Sequence, residues 1–256
     1  MKKLLLVLVA AGILAAAGAS FYLQRQLQIP GNPAAGLILE IPRGMSASDI
    51  VRLLAEKNVI GSRYAAHAYI FYSGNRQKLQ AGEYLFDRPM RVSEVVGKLS
   101  RGEVYLHKFT VPEGLTIDQI ARKWQEEGFG KTEEFSSAAT GAIDLVRDLD
   151  ERAESVEGYL FPETYLFPSR TAARQVVEAM IGRFREMAGR LRDAVPASGW
   201  PLSLHETVVL ASLIETEAAR AEERPVIASV YMNRLKRRLL LQCDPTVIYA
   251  LQQAGK

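Results

Sequence analysis

The sequence predicts an α+β chain: an N-terminal transmembrane helix, then a small strand-helix module, then a mixed α/β domain. An uncharged run occupies 4–23 behind Lys2 and Lys3, a strand-turn-helix pattern occurs twice, and the later part of the chain holds apolar runs with helical periodicity. The length of 256 residues, with 48% hydrophobic and 24% charged residues, is enough for one or two cores. Lys and Arg total 32 against 29 Asp and Glu, and a net charge of +3 is too small to argue for a nucleic-acid partner. One cysteine, Cys243, excludes an internal disulfide and a multi-thiolate metal site. His67, His107 and His205 lie far apart without an H-E-x-x-H spacing, so no metal site is expected.

At about 1.5 Å per residue, the run at 4–23 would cross a hydrocarbon core of about 30 Å. Lys2 and Lys3 should stay in the cytoplasm, which puts the rest of the chain on the extracytoplasmic side of a bacterial inner membrane. Ala17-Gly18-Ala19 also fits a signal-peptide cleavage site. The length of the run, with Phe21 and Tyr22 as interfacial aromatics, favours a retained anchor over 1–25. Pro30, Gly31 and Pro33 in a stretch without periodicity read as a linker over 26–36.

A module is expected over 37–110. The apolar run at 37–41 is a strand, Pro42-Arg43-Gly44 a turn, and Ser46 a cap for a helix carrying Ile50, Leu53 and Leu54. Val111-Pro112-Glu113-Gly114, Thr116 and Ile120 repeat this pattern after an alternating strand over 104–111. Between the copies lie a helix at 62–72, a strand at 83–86 and a helix at 92–99 with Val92, Val95, Val96 and Leu99 on one face. Such strand-turn-helix units resemble LysM modules, small sugar-binding domains. The competing reading is that Pro-x-Gly is simply a good strand-to-helix turn.

Residues 111–256 form the second expected domain. The acidic stretch Asp148-Leu149-Asp150-Glu151 reads as solvated surface. The aromatic stretch at 156–165 suits either a sugar cleft or a core flanked by proline turns. Val177, Met180, Ile181, Phe184, Met187 and Leu191 mark an amphipathic helix, broken over 195–201. Ser203 and Glu206 have capping-box spacing and open a helix that is almost wholly apolar from 207 to 214, hence expected to be buried on all sides. It ends by presenting Glu215 and Glu217, which at about 100° per residue point to nearly opposite sides. One is then functional and the other structural, with Arg220 or Arg224 as the partner in an ion pair. Glu217 follows the line of Leu210, Leu213 and Ile214, where desolvation would favour the protonated form that a general acid needs. Pro225 can open a further helix with Ile227, Val230, Tyr231 and Leu235 inward. The basic cluster Arg234, Lys236, Arg237 and Arg238 reads as a solvated helix end or a contact with anionic wall polymer or lipid.

The order anchor, P-x-G module, E-G-Y-L-F-P-E-T-Y, A-S-L-I-E-T-E-A, E-R-P-V-I-A-S-V-Y-M-N-R-L and L-Q-C-D-P-T-V-I-Y resembles the MltG (YceG-like) family of endolytic murein transglycosylases. The resemblance implies a membrane-anchored enzyme. It would cut nascent peptidoglycan strands between N-acetylmuramic acid and N-acetylglucosamine, leave 1,6-anhydromuramoyl ends and so terminate glycan elongation. It implies Glu217 as the catalytic acid, with Glu215 as second choice, and Glu163, Tyr165, Asn233, Gln242, Asp244 and Thr246 as substrate-binding candidates. Neither metal nor cofactor is implied; the partners are glycan strands, the membrane and cell-wall synthases. Ala218 stands where the family has a hydroxyl residue, and Cys243 where threonine is common. The catalytic domain is expected to lack its C-terminal part. The alternative is a noncatalytic, membrane-anchored peptidoglycan-binding or scaffold protein.

Overall fold

Helix α1 (Lys2–Gln28) is long and apolar enough over Leu8–Gln28 to cross a membrane. Ile13, Leu14 and Phe21 on this helix are exposed, while Leu27 near its end packs against the core of the first unit. The structure, a computed structural model, describes residues 2–75, 77–194 and 201–253. The chain divides into two compact units, Met1–His107 and Lys108–Lys256.

In the first unit α1 leads to strand β1 (Leu37–Ile41), helices α2 (Ala47–Glu56) and α3 (Arg63–Tyr72), strand β2 (Gly82–Phe86) and helix α4 (Val92–Arg101). Strands β1 and β2 pair antiparallel, Leu37 opposite Phe86 and Ile41 opposite Gly82. Their inward residues Leu39, Ile41, Tyr84 and Phe86 meet Ile50, Val51 and Leu54 of α2 and the Val92, Val95, Val96 and Leu99 face of α4. Residues 26–36 are more tied down than a linker reading suggests. The helix runs to Gln28, Pro30 bridges to Ile60, and Gly31 donates its N–H to Met90 at 2.9 Å. A Cβ on Gly31 would lie 2.1 Å from the Val59 carbonyl oxygen, so only glycine allows this approach. Main-chain pairing of this kind leaves no periodicity in the local sequence.

The second unit has strand β3 (His107–Thr110, whose first residue closes the first unit), helices α5 (Ile117–Glu126) and α6 (Thr132–Thr140), strand β4 (Thr164–Phe167) and helix α7 (Ala173–Ala194). Strand β3 pairs with β4. The sequence repeat is therefore a structural repeat, strand-helix-helix-strand-helix in both units. Its turns match in detail: Gly44 and Gly114 both have positive φ, at 80° and 77°. Ser46 and Thr116 both cap the helix that follows, each accepting the N–H three residues on. After α2 and α5 the chain again turns left-handed, at Asn58 and Gly128.

The core of the second unit is aromatic. Trp124 of α5 stacks on Phe129 with ring centroids 4.8 Å apart and meets Phe109 of β3 edge-on at 5.5 Å. Phe135, Val176, Val177, Met180 and Ile181 complete it. Of the predicted α7 face, Leu191 is instead exposed. Of the break expected over 195–201, only Pro201 lies within the described residues.

Three helices follow: α8 (Leu204–Glu217), α9 (Arg224–Lys236) and α10 (Asp244–Gln253). The capping box that opens α8 is present: Glu206 accepts the Ser203 N–H at 2.8 Å and Ser203 accepts the Glu206 N–H at 3.2 Å. The expectation that α8 is enclosed on all sides is overturned. Only Leu210 and Leu213 are buried, packed with Tyr231 of α9 and with Cys243; Val208 touches Gly158, and Val209 is 45% exposed. Helix α9 likewise buries Tyr231 alone, and Val230 and Leu235 are exposed. Helices α8 and α9 share this one small cluster with Cys243, which precedes α10, and all three helices have more apolar surface than their neighbours cover.

Trp124→Ala is expected to cost about 3–5 kcal/mol through the cavity it leaves. Thr116→Ala, which removes only a cap, should cost about 1 kcal/mol. Chemical denaturation followed by circular dichroism in detergent measures both, and equal losses would contradict this ranking.

Candidate functional site

The end of α8 separates two adjacent carboxylates by their partners. Glu215 accepts from Arg224 Nη2 at 2.9 Å, and the same nitrogen donates to Glu113 at 3.2 Å. Glu113 belongs to the Pro-x-Gly turn before α5, and that turn lies against Glu215: a Cβ on Gly114 would make an ordinary contact 3.9 Å from Glu215 Cγ. Arg224 begins α9, so one guanidinium joins the end of α8, the start of α9 and the turn before α5. Of the two partners open to Glu215 in the sequence, Arg224 is the one it takes.

Glu217 has no hydrogen bond or ion pair among the described residues. It is exposed rather than desolvated by the line of Leu210, Leu213 and Ile214. The helix ends at Glu217, with Ala218 as its extended C-cap, so no further turn follows to cover this carboxylate. Its charge nevertheless reaches Tyr231. Burial first, then Cys243 and Glu217, pushes the Tyr231 hydroxyl above its ordinary value.

The other sequence candidates fall in two places. Asn233 and Gln242 line one concavity of about 580 Å³ with Arg234 and Arg237. Arg234 donates to the Leu240 carbonyl at 2.9 Å and to Gln242 Oε1 at 3.1 Å. Gln242 has φ of 51° and Arg238 of 55°, so this loop holds two non-glycine residues in the left-handed region. Asp244 and Thr246 begin α10, and the Thr246 hydroxyl donates to the Cys243 carbonyl at 2.7 Å. Glu163 and Tyr165 lie instead at β4. Glu163 pairs with Arg183 of α7 at 2.8 Å, while its carbonyl accepts the Val111 N–H at 3.0 Å. Tyr165 stacks on Phe167 and donates its hydroxyl to the Phe161 carbonyl at 2.7 Å; burial pushes that hydroxyl up.

Two groups have no signal in the sequence that singles them out. Glu157 is half-buried and accepts the Ile117 N–H at the start of α5 with both oxygens, each at 3.2 Å. Its burial, only partly offset by that bond, raises its carboxyl above the usual range. Asp150 is a correction: within a stretch that reads as solvated surface it is 6% exposed. It accepts from the Tyr159 hydroxyl, from the Arg152 N–H at 2.9 Å and from His205 Nδ1 at 2.8 Å. His205 stands in the first turn of α8, so this buried carboxylate ties that end of the helix to the core. Among the described residues no group of three His, Cys, Asp or Glu converges as a metal site.

A sequence profile of the YceG-like family matches residues 39–256. The chain is 33% identical over 233 residues to an endolytic murein transglycosylase of Bacillus subtilis, covering 85% of this chain and 63% of that protein. It is 26% identical over 269 residues to the protein of the same description from Streptococcus pneumoniae, covering 93% of this chain and 47% of that one. The chain thus spans between about half and two thirds of the length of these curated relatives. A crystal structure of a yceG-like protein from Listeria monocytogenes matches with a TM-score of 0.52 and 30% identity, over 84% of this chain and 75% of that one.

Burial alone would raise the Asp150 carboxyl, but its three donors outweigh burial and hold it below the ordinary value. The stability this contributes is complete above about pH 4 and is lost as pH falls through the folded-state value. Thermal melts from pH 7 to pH 2 should therefore fall less steeply for Asp150→Asn than for the unsubstituted chain. Parallel curves would refute the contribution.

Proposed function

The chain belongs to the YceG-like family, and on that premise we propose that it is an endolytic lytic transglycosylase of peptidoglycan with Glu217 as its acid. The observation that carries the reading is the division of labour at the end of α8: Arg224 engages Glu215, and Glu217 keeps a carboxylate without a hydrogen bond or ion pair among the described residues. In this reading α1 is a membrane anchor and the two units stand on the extracytoplasmic side. The strand-helix-helix-strand order over 37–107 supports a LysM-like, glycan-binding role for the first unit, and cell-wall synthases are the expected protein partners.

The chemistry needs one carboxyl used twice. Glu217 gives its proton to the glycosidic oxygen, so the bond from the muramoyl anomeric carbon breaks and the N-acetylglucosamine side leaves with a free hydroxyl. The carboxylate then takes the proton of the muramoyl C6 hydroxyl, whose oxygen bonds to the anomeric carbon and closes the 1,6-anhydro ring. The acid is thereby regenerated. Because the nucleophile belongs to the same sugar, its effective concentration is high, and no second carboxylate is needed to activate water as in an inverting glycosidase. An exposed carboxyl must be covered by the bound strand for this step, which displaces water from it. That same exposure favours the second reading, a glycan-binding protein without catalysis.

The decisive assay digests uncrosslinked glycan strands and measures anhydromuramoyl ends. Glu217→Gln should abolish them. Glu215→Gln should cost about 0.5–1 kcal/mol of stability while retaining cleavage. Unchanged product from Glu217→Gln would remove the assignment, and binding without product from the unsubstituted chain would establish the second reading.

A further inference from the structure

Five residues near the C-terminal end of α9, 234–238, carry four cations: Arg234, Lys236, Arg237 and Arg238. The C-terminal end of a helix favours cations, but with the equivalent of only about half an elementary charge. Four exceed that need. Among the described residues none of the four has an ion pair with a carboxylate. Two of them, Arg234 and Arg237, line the concavity shared with Asn233 and Gln242, and among the described residues no acidic one lines it.

The donors there are arranged for an acceptor-rich ligand. Arg234 is committed to the Leu240 carbonyl and to Gln242 Oε1, which braces the loop. Both of those bonds use Nη1, so the other N–H groups of Arg234 remain as donors beside the Arg237 guanidinium and the amide nitrogens of Gln242 and Asn233. The remaining wall is apolar: Val230, Leu239 and Leu240, of which Leu240 is 78% exposed. A bare strand presents hydroxyl and acetamido groups and one lactyl carboxylate per muramoyl residue held close to the ring, and it brings no small apolar side chains to the wall of Val230, Leu239 and Leu240. A short peptide with carboxylates and small apolar side chains matches both halves. The concavity is tied to the helix that carries the proposed acid. Val230 and Gln242 are the chain neighbours of Tyr231 and Cys243, which pack on Leu210 and Leu213 of the helix that ends at Glu217.

We propose that this concavity is a subsite for the carboxylate-bearing peptide stem of the glycan, with Arg237 as its principal cation. It rests on the glycan-strand reading of the site and adds selectivity for strands that still carry their stems. An exposed guanidinium-carboxylate pair supports a preference of about fivefold, weakening as salt rises.

The test is a binding titration on the full chain in zwitterionic nanodiscs, in the Glu217→Gln background so that ligand is not consumed. The probes are soluble uncrosslinked glycan fragments with their stems, and the same fragments stripped of stems by an amidase, with the lactyl carboxylates this exposes capped as methylamides. The ratio of the two dissociation constants should favour stem-bearing fragments, and Arg237→Gln should reduce it about fivefold. Arg237→Glu should reduce it further and Arg237→Lys should preserve most of it, with matched circular dichroism spectra throughout. An equal ratio in all variants overturns the proposal. So does an effect of Arg237 that appears only when the nanodiscs contain anionic phospholipid, which would assign the cations to lipid headgroups. Selectivity without cleavage by the unsubstituted chain would sustain the subsite and refute the catalytic reading, so the two failures are distinct.

Discussion

Arg224 is the interaction on which the candidate site depends. Its guanidinium bonds Glu215 at the end of α8 and Glu113 in the turn before α5. A cation shared by two carboxylates fixes two elements from distant parts of the sequence at one point. It also divides two glutamates that differ by only one intervening residue. The pair is partly exposed, so its contribution to stability is modest; its effect is on which carboxylate is left open to a ligand.

The opposite end of α8 is held differently. Asp150 is buried, and its bonds to Tyr159, Arg152 and His205 compensate the cost of desolvating a carboxylate. A helix fixed at both ends by polar contacts can present its terminal residue in a defined place even though its middle is only partly covered. The exposed Val209 and the single buried residue of α9, Tyr231, show that apolar packing alone does not hold this part of the second unit.

Local features were legible in the sequence wherever a single turn of chain decides them. The capping box at Ser203 and Glu206, the one-sided face of α4 and the two Pro-x-Gly turns all lie where pattern and spacing place them. These depend on contacts within a few residues, which periodicity and turn chemistry report directly. The pairing of Gly31 with Met90 was not legible, because a main-chain bond across such a separation leaves no mark on residue type. Asp150 was misread for a related reason. An acidic run reads as solvent-facing unless its partners are seen, and those partners come from Tyr159 and from His205 on α8.

By itself the sequence determined that the chain is α+β, that its first helix suits a membrane, that a strand-turn-helix unit occurs twice, and that an apolar helix ends on two glutamates pointing apart. Helical geometry sets that divergence at about 100° per residue, whatever surrounds it. Only the tertiary structure decided which glutamate is paired, since Arg224, itself shared with Glu113 of the turn before α5, reaches Glu215 from a separate element. It also showed Glu217 in the open. Burial depends on what neighbouring elements cover, and no run of residue types in α8 specifies how far α9 and α10 extend over it.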